Sequence, residues 1–271
     1  MATFGRFKEI IIFLDSLLNQ SYKNFELIIV DQNGDDKLEK LCQSYSMNIQ
    51  VIKNPVKGLS LNRNIGLKYV TGDIIAFPDD DCEYDSKTLE NVVQFFTNNQ
   101  DYGFYTCSTK EKTNDLSILA NNTGDTEISI KNIMYVGISF TIFVKKLFFD
   151  KFVFDEQLGI GAEFGSAEES DLLFYLLKNR CKGFYHSTHY IYHPYKPETV
   201  EKAFQYGKGY GAIHKKAVIV YKYYMVLYPF FKLMLIELIK ICFYQYLPER
   251  LPTFKGRIYG FFYYKPGRRK L

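Results

Sequence analysis

The stretch KGLSLNRNIGLKYVTGDIIAFPDDDC, residues 57–82, decides how the chain is read. At its centre Ile74, Ile75, Ala76 and Phe77 form an unbroken apolar run, closed by Pro78 and followed at once by Asp79, Asp80 and Asp81. Such a run reads as a strand buried on both faces, the kind found in parallel sheets. Before it, residues 60–70 read as a helix that stops at Gly72.

The same grammar holds on the N-terminal side. Phe7, Ile10, Ile11, Leu14, Leu17 and Leu18 recur at helical spacing. Leu27, Ile28, Ile29 and Val30 make a second apolar run, ending in Asp31, and residues 37–45 and 49–52 read as helix and strand. Strand–helix alternation with short turns predicts an α/β fold with a doubly wound, mostly parallel, Rossmann-like sheet. Ligands of such sheets bind beyond the carboxyl ends of the strands, where Asp31 and the three aspartates both fall. Further on, residues 109–128 read as polar loop, 137–144 as a strand, 167–179 as a helix, and then a strand reaches His193.

With 271 residues, 47% of them hydrophobic, the chain can bury a sizeable core, which excludes wholesale disorder. A net charge of +4 is only mildly basic; it suits an anionic ligand or a membrane surface, and no nucleic-acid partner is expected. Five cysteines without C-x-x-C spacing argue against a disulfide framework or zinc knuckle and for a reducing cytosol. Arg6, Lys8 and Glu9 come too early for a signal peptide, and no run of about eighteen uncharged apolar residues reads as a membrane span.

Three adjacent aspartates repel one another unless something offsets their charge. A divalent cation, Mg²⁺ or Mn²⁺, takes hard oxygen ligands of this kind together with substrate phosphates. A solvated acidic turn is the competing reading, and the buried strand directly before the cluster favours the metal.

Four stretches carry a resemblance: LDSLLNQSYKNFELIIVDQ (14–32), residues 57–82, GSAEESDL (165–172) and YIYHP (190–194). In this order and spacing the chain resembles the family 2 glycosyltransferases with the GT-A fold, over residues 2–195. The resemblance implies that Asp31 contacts the uridine, that Arg63 and Asn64 lie near the nucleotide, that Asp79 binds the ribose, and that Asp81 of the D-x-D motif holds the metal. Lys57, Ser60, Thr3 and Asp80 are placed with the nucleotide-sugar site. His193, ending a tyrosine-rich strand before Pro194, is a candidate metal or diphosphate contact.

Inversion needs a general base for the acceptor hydroxyl, and the family places it in an acidic pair that here reads Glu168-Glu169. At about 100° per residue, Leu172, Leu173, Leu176 and Leu177 form one stripe, with Glu169 projecting into it, Glu168 at its edge and Asp171 pointing away. Glu169 is therefore favoured and Glu168 is the alternative. A capping box from Ser166 to Glu169 is a rival account of the same residues.

Residues 1–197 are expected to form the catalytic domain, its nucleotide half about 1–108 and its acceptor half about 109–197, with 198–271 a C-terminal helical region. There Lys222, Lys232, Glu237 and Lys240 fall in one helical sector and leave a broad apolar face, provided Pro229 does not break the phase. The cluster Phe261 to Tyr264 precedes Lys265, Arg268, Arg269 and Lys270. Basic, aromatic, amphipathic helices lie in the membrane interface, so peripheral placement on the inner face of the cell membrane is expected.

The chain has no tryptophan, so it lacks the Gln-x-x-Arg-Trp motif of processive synthases, which implies one sugar per visit. Relatives begin with a hydrophobic strand ahead of a segment like residues 2–6; that strand is missing here, and the chain as written is expected to be poorly stable.

The function expected is an inverting, Mn²⁺- or Mg²⁺-dependent hexosyl- or N-acetylhexosaminyltransferase. Its donor would be a UDP-sugar, and its acceptor a glycan or lipid-linked glycan in bacterial-type surface polysaccharide synthesis. One rival, a sugar nucleotidyltransferase, would want a glycine-rich phosphate loop, and no G-x-G-x-x-G or P-loop is present. The other is a degenerate, non-catalytic carbohydrate- or membrane-binding protein.

Overall fold

The computed structural model describes residues 1–112, 124–149, 151–197, 199–243 and 248–267. Arg268, Arg269 and Lys270, and residues 113–123 of the expected polar loop, lie outside the described residues. Two compact units divide the chain: residues 1–57, 61–153 and 179–195 form the first, and 58–60, 154–178 and 196–271 the second. Residues 154–178 group with the C-terminal chain.

In the first unit, β1 (Ala2–Thr3), β2 (Leu27–Asp31) and β3 (Ile49–Lys53) make a parallel sheet in the order β1-β2-β3. Every residue of β2 is buried, as its apolar run requires. Helix α1 (Phe7–Leu18) packs Ile10, Phe13, Leu14 and Leu17 into the core at helical spacing, while Phe7 and Leu18 of the expected pattern are exposed. Helices α2 (Lys37–Cys42) and α3 (Leu59–Leu67) follow, both shorter than the sequence suggested.

A second, mixed sheet takes β4 (Ile74–Ala76), β5 (Glu83–Tyr84), β6 (Tyr102–Lys110), β8 (Ile142–Lys145) and β9 (Lys182–Tyr192) in the order β4-β8-β6-β9-β5, with β7 (Thr126–Ile128) paired to β9. Only β6 and β9 run parallel in it. Helix α4 (Thr88–Asn98) turns Val92 and Phe96 into the same core as α1. The strand expected at 137–144 is shorter and later, because residues 139–141 form a 3₁₀ turn before β8 begins.

β1 is two residues long, and β4 is an edge strand. Beside them lies a largely apolar cavity of about 470 Å³, lined by Met1, by Leu27 and Ile28 of β2, and by residues 74–76 of β4. The Met1 amine donates to the Ile28 carbonyl at 2.8 Å. Burial drives its pKa down to about 5.

In the second unit, helix α5 (Glu168–Lys178) is covered along most of its length. Asp171, which the helical wheel pointed away from the apolar stripe, is fully buried. Its carboxylate accepts from Lys216 Nζ at 2.9 Å and Tyr221 OH at 2.7 Å, and the same ammonium reaches Asp155 Oδ2 at 2.6 Å. The wheel ranked only apolarity, whereas a partnered charge can be buried on the opposite face.

Helices α6 (Val200–Ile219) and α8 (Arg250–Tyr263) pack through glycines. A Cβ on Gly260 would stand 1.9 Å from the Lys208 carbonyl oxygen, and one on Gly211 2.1 Å from that of Arg257. Only hydrogen in place of the side chain lets the two backbones meet there. Between them in sequence runs α7 (Leu227–Phe243). Pro229 sits in its first turn, where no intrahelical N–H bond is lost, so the phase is unbroken. Lys222 precedes the helix and takes no part in its charged sector. Among the described residues no helix is long and apolar enough to cross a membrane.

Candidate functional site

β4 ends at Ala76 and is followed by Phe77 and Pro78, which places the three aspartates just beyond the strand's carboxyl end. They are not equivalent. Asp80 is buried, accepting from Thr3 Oγ1 at 2.6 Å and from Arg6 Nη1 at 2.9 Å. Burial raises its carboxyl pKa, against the opposing pull of Thr3 and Arg6. Thr3 and Asp80, both assigned to the nucleotide site from sequence, thus bind each other and tie the end of β1 to the aspartate loop.

Asp79, Asp81 and His193 converge. One ligand atom from each lies within 4.8 Å of the others. His193 Nε2 stands 3.2 Å from Asp81 Oδ1, and its ring stacks on Phe140 with 4.7 Å between centroids. The residue follows β9, and its backbone N–H bonds the Lys110 carbonyl at the end of β6, which fixes the direction of the ring. Asp79 Oδ1 is 3.2 Å from Arg63 Nη2 and 3.4 Å from Ser139 Oγ. Two carboxylates and an imidazole suit a divalent ion such as Mn²⁺ or Mg²⁺ in donor type. The sequence reading had set Asp79 on the ribose; here its carboxylate shares the cluster.

Arg6 is the residue that sequence reasoning missed. Its guanidinium bridges Asp80 and Asp81, with 2.7 Å to Asp81 Oδ2. Burial pulls its pKa down, but the two carboxylates outweigh that and raise it. No local signal marks it, since its partners lie more than seventy residues away.

Asp31 ends β2 with no exposed surface. Its Oδ1 accepts from the backbone and side-chain N–H groups of Asn33 at 2.9 and 2.7 Å. Its Oδ2 is buried and has no hydrogen-bond partner among the described residues. Nearby, Thr3, Arg6, Asn33 and Asp35 help to line a cavity of about 210 Å³. Of the other expected contacts, Arg63 is buried beside Asp79, Asn64 is half-buried on α3, and Lys57 is exposed with its ammonium over the Phe4 ring.

The acidic pair belongs to the second unit. Glu168 is buried and Glu169 half-buried, the reverse of the order the wheel implied. A Cβ on Gly159, whose φ is +98°, would meet Ser60 Oγ at 3.0 Å and Glu168 Oε2 at 3.1 Å, so these groups crowd one loop. The Ser60 hydroxyl donates to the Leu158 carbonyl. The Ser166–Glu169 capping box does not form as expected: α5 starts at Glu168 after Ala167 at φ 75°, and the Ser166 N–H bonds the Phe164 carbonyl.

A parallel β-α-β half carrying an acidic strand end, joined to a mixed sheet with a carboxylate–imidazole cluster, defines the GT-A class of α/β fold. The chain belongs to glycosyl transferase family 2, whose family model matches residues 1–153. It is 29% identical over 199 residues to the GalNAc(5)-diNAcBac-PP-undecaprenol β-1,3-glucosyltransferase of Campylobacter jejuni, covering 69% of this chain and 61% of that one. Of other curated relatives it matches, it spans 60% of one and 10% of another. Among solved structures, S. aureus TarS 1–349 in complex with UDP-GlcNAc superposes with a TM-score of 0.61 at 17% identity, over 79% of this chain and 65% of that one. The mannosyltransferase PcManGT of Pyrobaculum calidifontis, in complex with GDP-Man and Mn²⁺, gives 0.60 at 14% identity, over 95% and 67%.

Proposed function

We propose that this protein transfers a single sugar, with inversion, from a UDP-sugar to a glycan or lipid-linked glycan of a bacterial-type surface polysaccharide, working at the inner face of the cell membrane. The convergence of Asp79, Asp81 and His193 beyond the end of β4 is the observation that carries this reading. Asp81 and His193, with Asp79, would hold Mn²⁺ or Mg²⁺; the bound ion would offset the charge of the departing diphosphate. The unpartnered Asp31 oxygen suits a ring N–H donor such as that of uracil. Arg63 and Arg6 supply positive charge next to the aspartates, and Arg6 would share or yield Asp81 when the ion binds.

In the transfer, the acceptor oxygen forms its bond to the anomeric carbon as the bond to UDP breaks, and its proton passes to a carboxylate. Glu169 is assigned that proton, since it keeps solvent contact while Glu168 is packed against Gly159. A lipid-linked acceptor has support in the relative from Campylobacter jejuni, whose name specifies an undecaprenol-linked substrate.

Calorimetry with UDP and Mn²⁺ tests the donor site. Asp81→Ala is expected to abolish the metal-dependent part of binding, and unchanged metal-dependent affinity would refute the assignment. Glu169→Gln is expected to keep donor binding but cut turnover by about 10²-fold or more. Turnover equal to the parent would remove Glu169 as the base.

A further inference from the structure

Helix α7 is turned inside out. Of its seventeen residues only Phe230 is buried. Tyr228, Phe231, Leu235, Leu238, Ile239 and Cys242 are all exposed. At about 100° per residue they fall within an arc of about 100°, a continuous apolar stripe along the helix. Of its three charged residues, Glu237 and Lys240 lie away from that arc, half-buried and paired at 3.6 Å, while exposed Lys232 borders it. A helix with water on both sides would show the opposite arrangement, because exposed apolar area of this extent is unfavourable. Phe262 and Tyr263 at the end of α8 are also exposed, at 67% and 65%.

Charge identifies what covers the stripe. Residues 196–271 carry fifteen lysines and arginines against four acidic residues, while 1–195 carry nineteen against twenty-six. Lys222, Lys232, Lys255 and Lys265 are exposed in the same unit as α7. Packing this face on its own copy would set two strongly basic surfaces together, which is repulsive. An anionic bilayer satisfies both features, taking the apolar stripe into its acyl boundary and the lysines onto its phosphates.

We propose that α7 is an in-plane anchor for an anionic membrane, with the stripe from Tyr228 to Cys242 immersed in the headgroup layer. This names the element and the lipid charge behind the membrane placement given above, and it does not depend on which sugar is transferred.

Flotation of the full chain with phosphatidylcholine vesicles, and with an equal mixture of phosphatidylcholine and phosphatidylglycerol, tests it. The protein should float with the mixed vesicles only, and molar salt should weaken that binding. The double variant Phe231→Glu and Leu235→Glu should lose at least about tenfold in bound fraction, with its melting temperature and Mn²⁺-dependent UDP binding unchanged. Loss of UDP binding in the parent chain would instead count against the transferase reading. Equal flotation with both vesicle types, or an unaffected double variant, would overturn the anchor. So would a parent chain that ignores vesicles and sediments as a dimer that the double variant splits.

Discussion

At the scale of single residues, neighbours rather than residue type decide what a titratable group does. Three adjacent aspartates have different sets of partners: Asp79 meets Arg63, Asp80 meets Thr3 and Arg6, and Asp81 meets His193 and Arg6. His214 makes the same point away from the site. Burial among Tyr210 and Phe230 lowers its pKa from 6.5 to about 4, with Arg257 adding to the shift. A base whose folded pKa is depressed lends stability that is complete above pH 6.5 and is lost as pH falls toward about 4. Chemical denaturation should therefore show a loss of up to about 3 kcal/mol from this group across that window, and His214→Phe should flatten the slope. An identical pH profile in the variant would show that other groups set it.

At the scale of elements, the helix pair α6–α8 rests on glycines at 207, 211, 256 and 260. In an exposed helix, Gly→Ala stabilises by roughly 1 kcal/mol. Here the sign should reverse, since the Cβ of Gly260→Ala would overlap a backbone oxygen that cannot move aside alone. A loss of about 3 kcal/mol or more is expected from the forced separation of the helices. Gly267→Ala, where nothing lies within 4 Å, serves as the near-neutral control. Thermal unfolding of both variants checks this, and equal melting temperatures would rule out the close approach. Helix existence was legible from periodicity, since α1 and α5 lie where their leucine patterns place them. The glycines were visible too, but which residues face a partner backbone is a long-range fact that spacing does not carry.

At the scale of the whole molecule, a largely apolar cavity lies beside Met1, lined by residues of both β2 and β4. An engineered extension of alternating apolar residues ahead of Met1 should run beside Leu27 and Ile28, replace the buried amine by an amide, and raise stability by about 2 kcal/mol or more. A melting temperature no higher than that of the starting chain would refute it. The sequence by itself determined the α/β class, the strand ends that carry Asp31 and Asp79 to Asp81, and the family, because these are local patterns of apolar runs and the residues that stop them. Tertiary structure alone decided that Arg6 clamps Asp80 and Asp81, that His193 meets Asp79 and Asp81, and that α7 shows its apolar side outward. Each of these depends on residues far apart in the chain being brought within a few ångströms, and short-range periodicity holds no record of that.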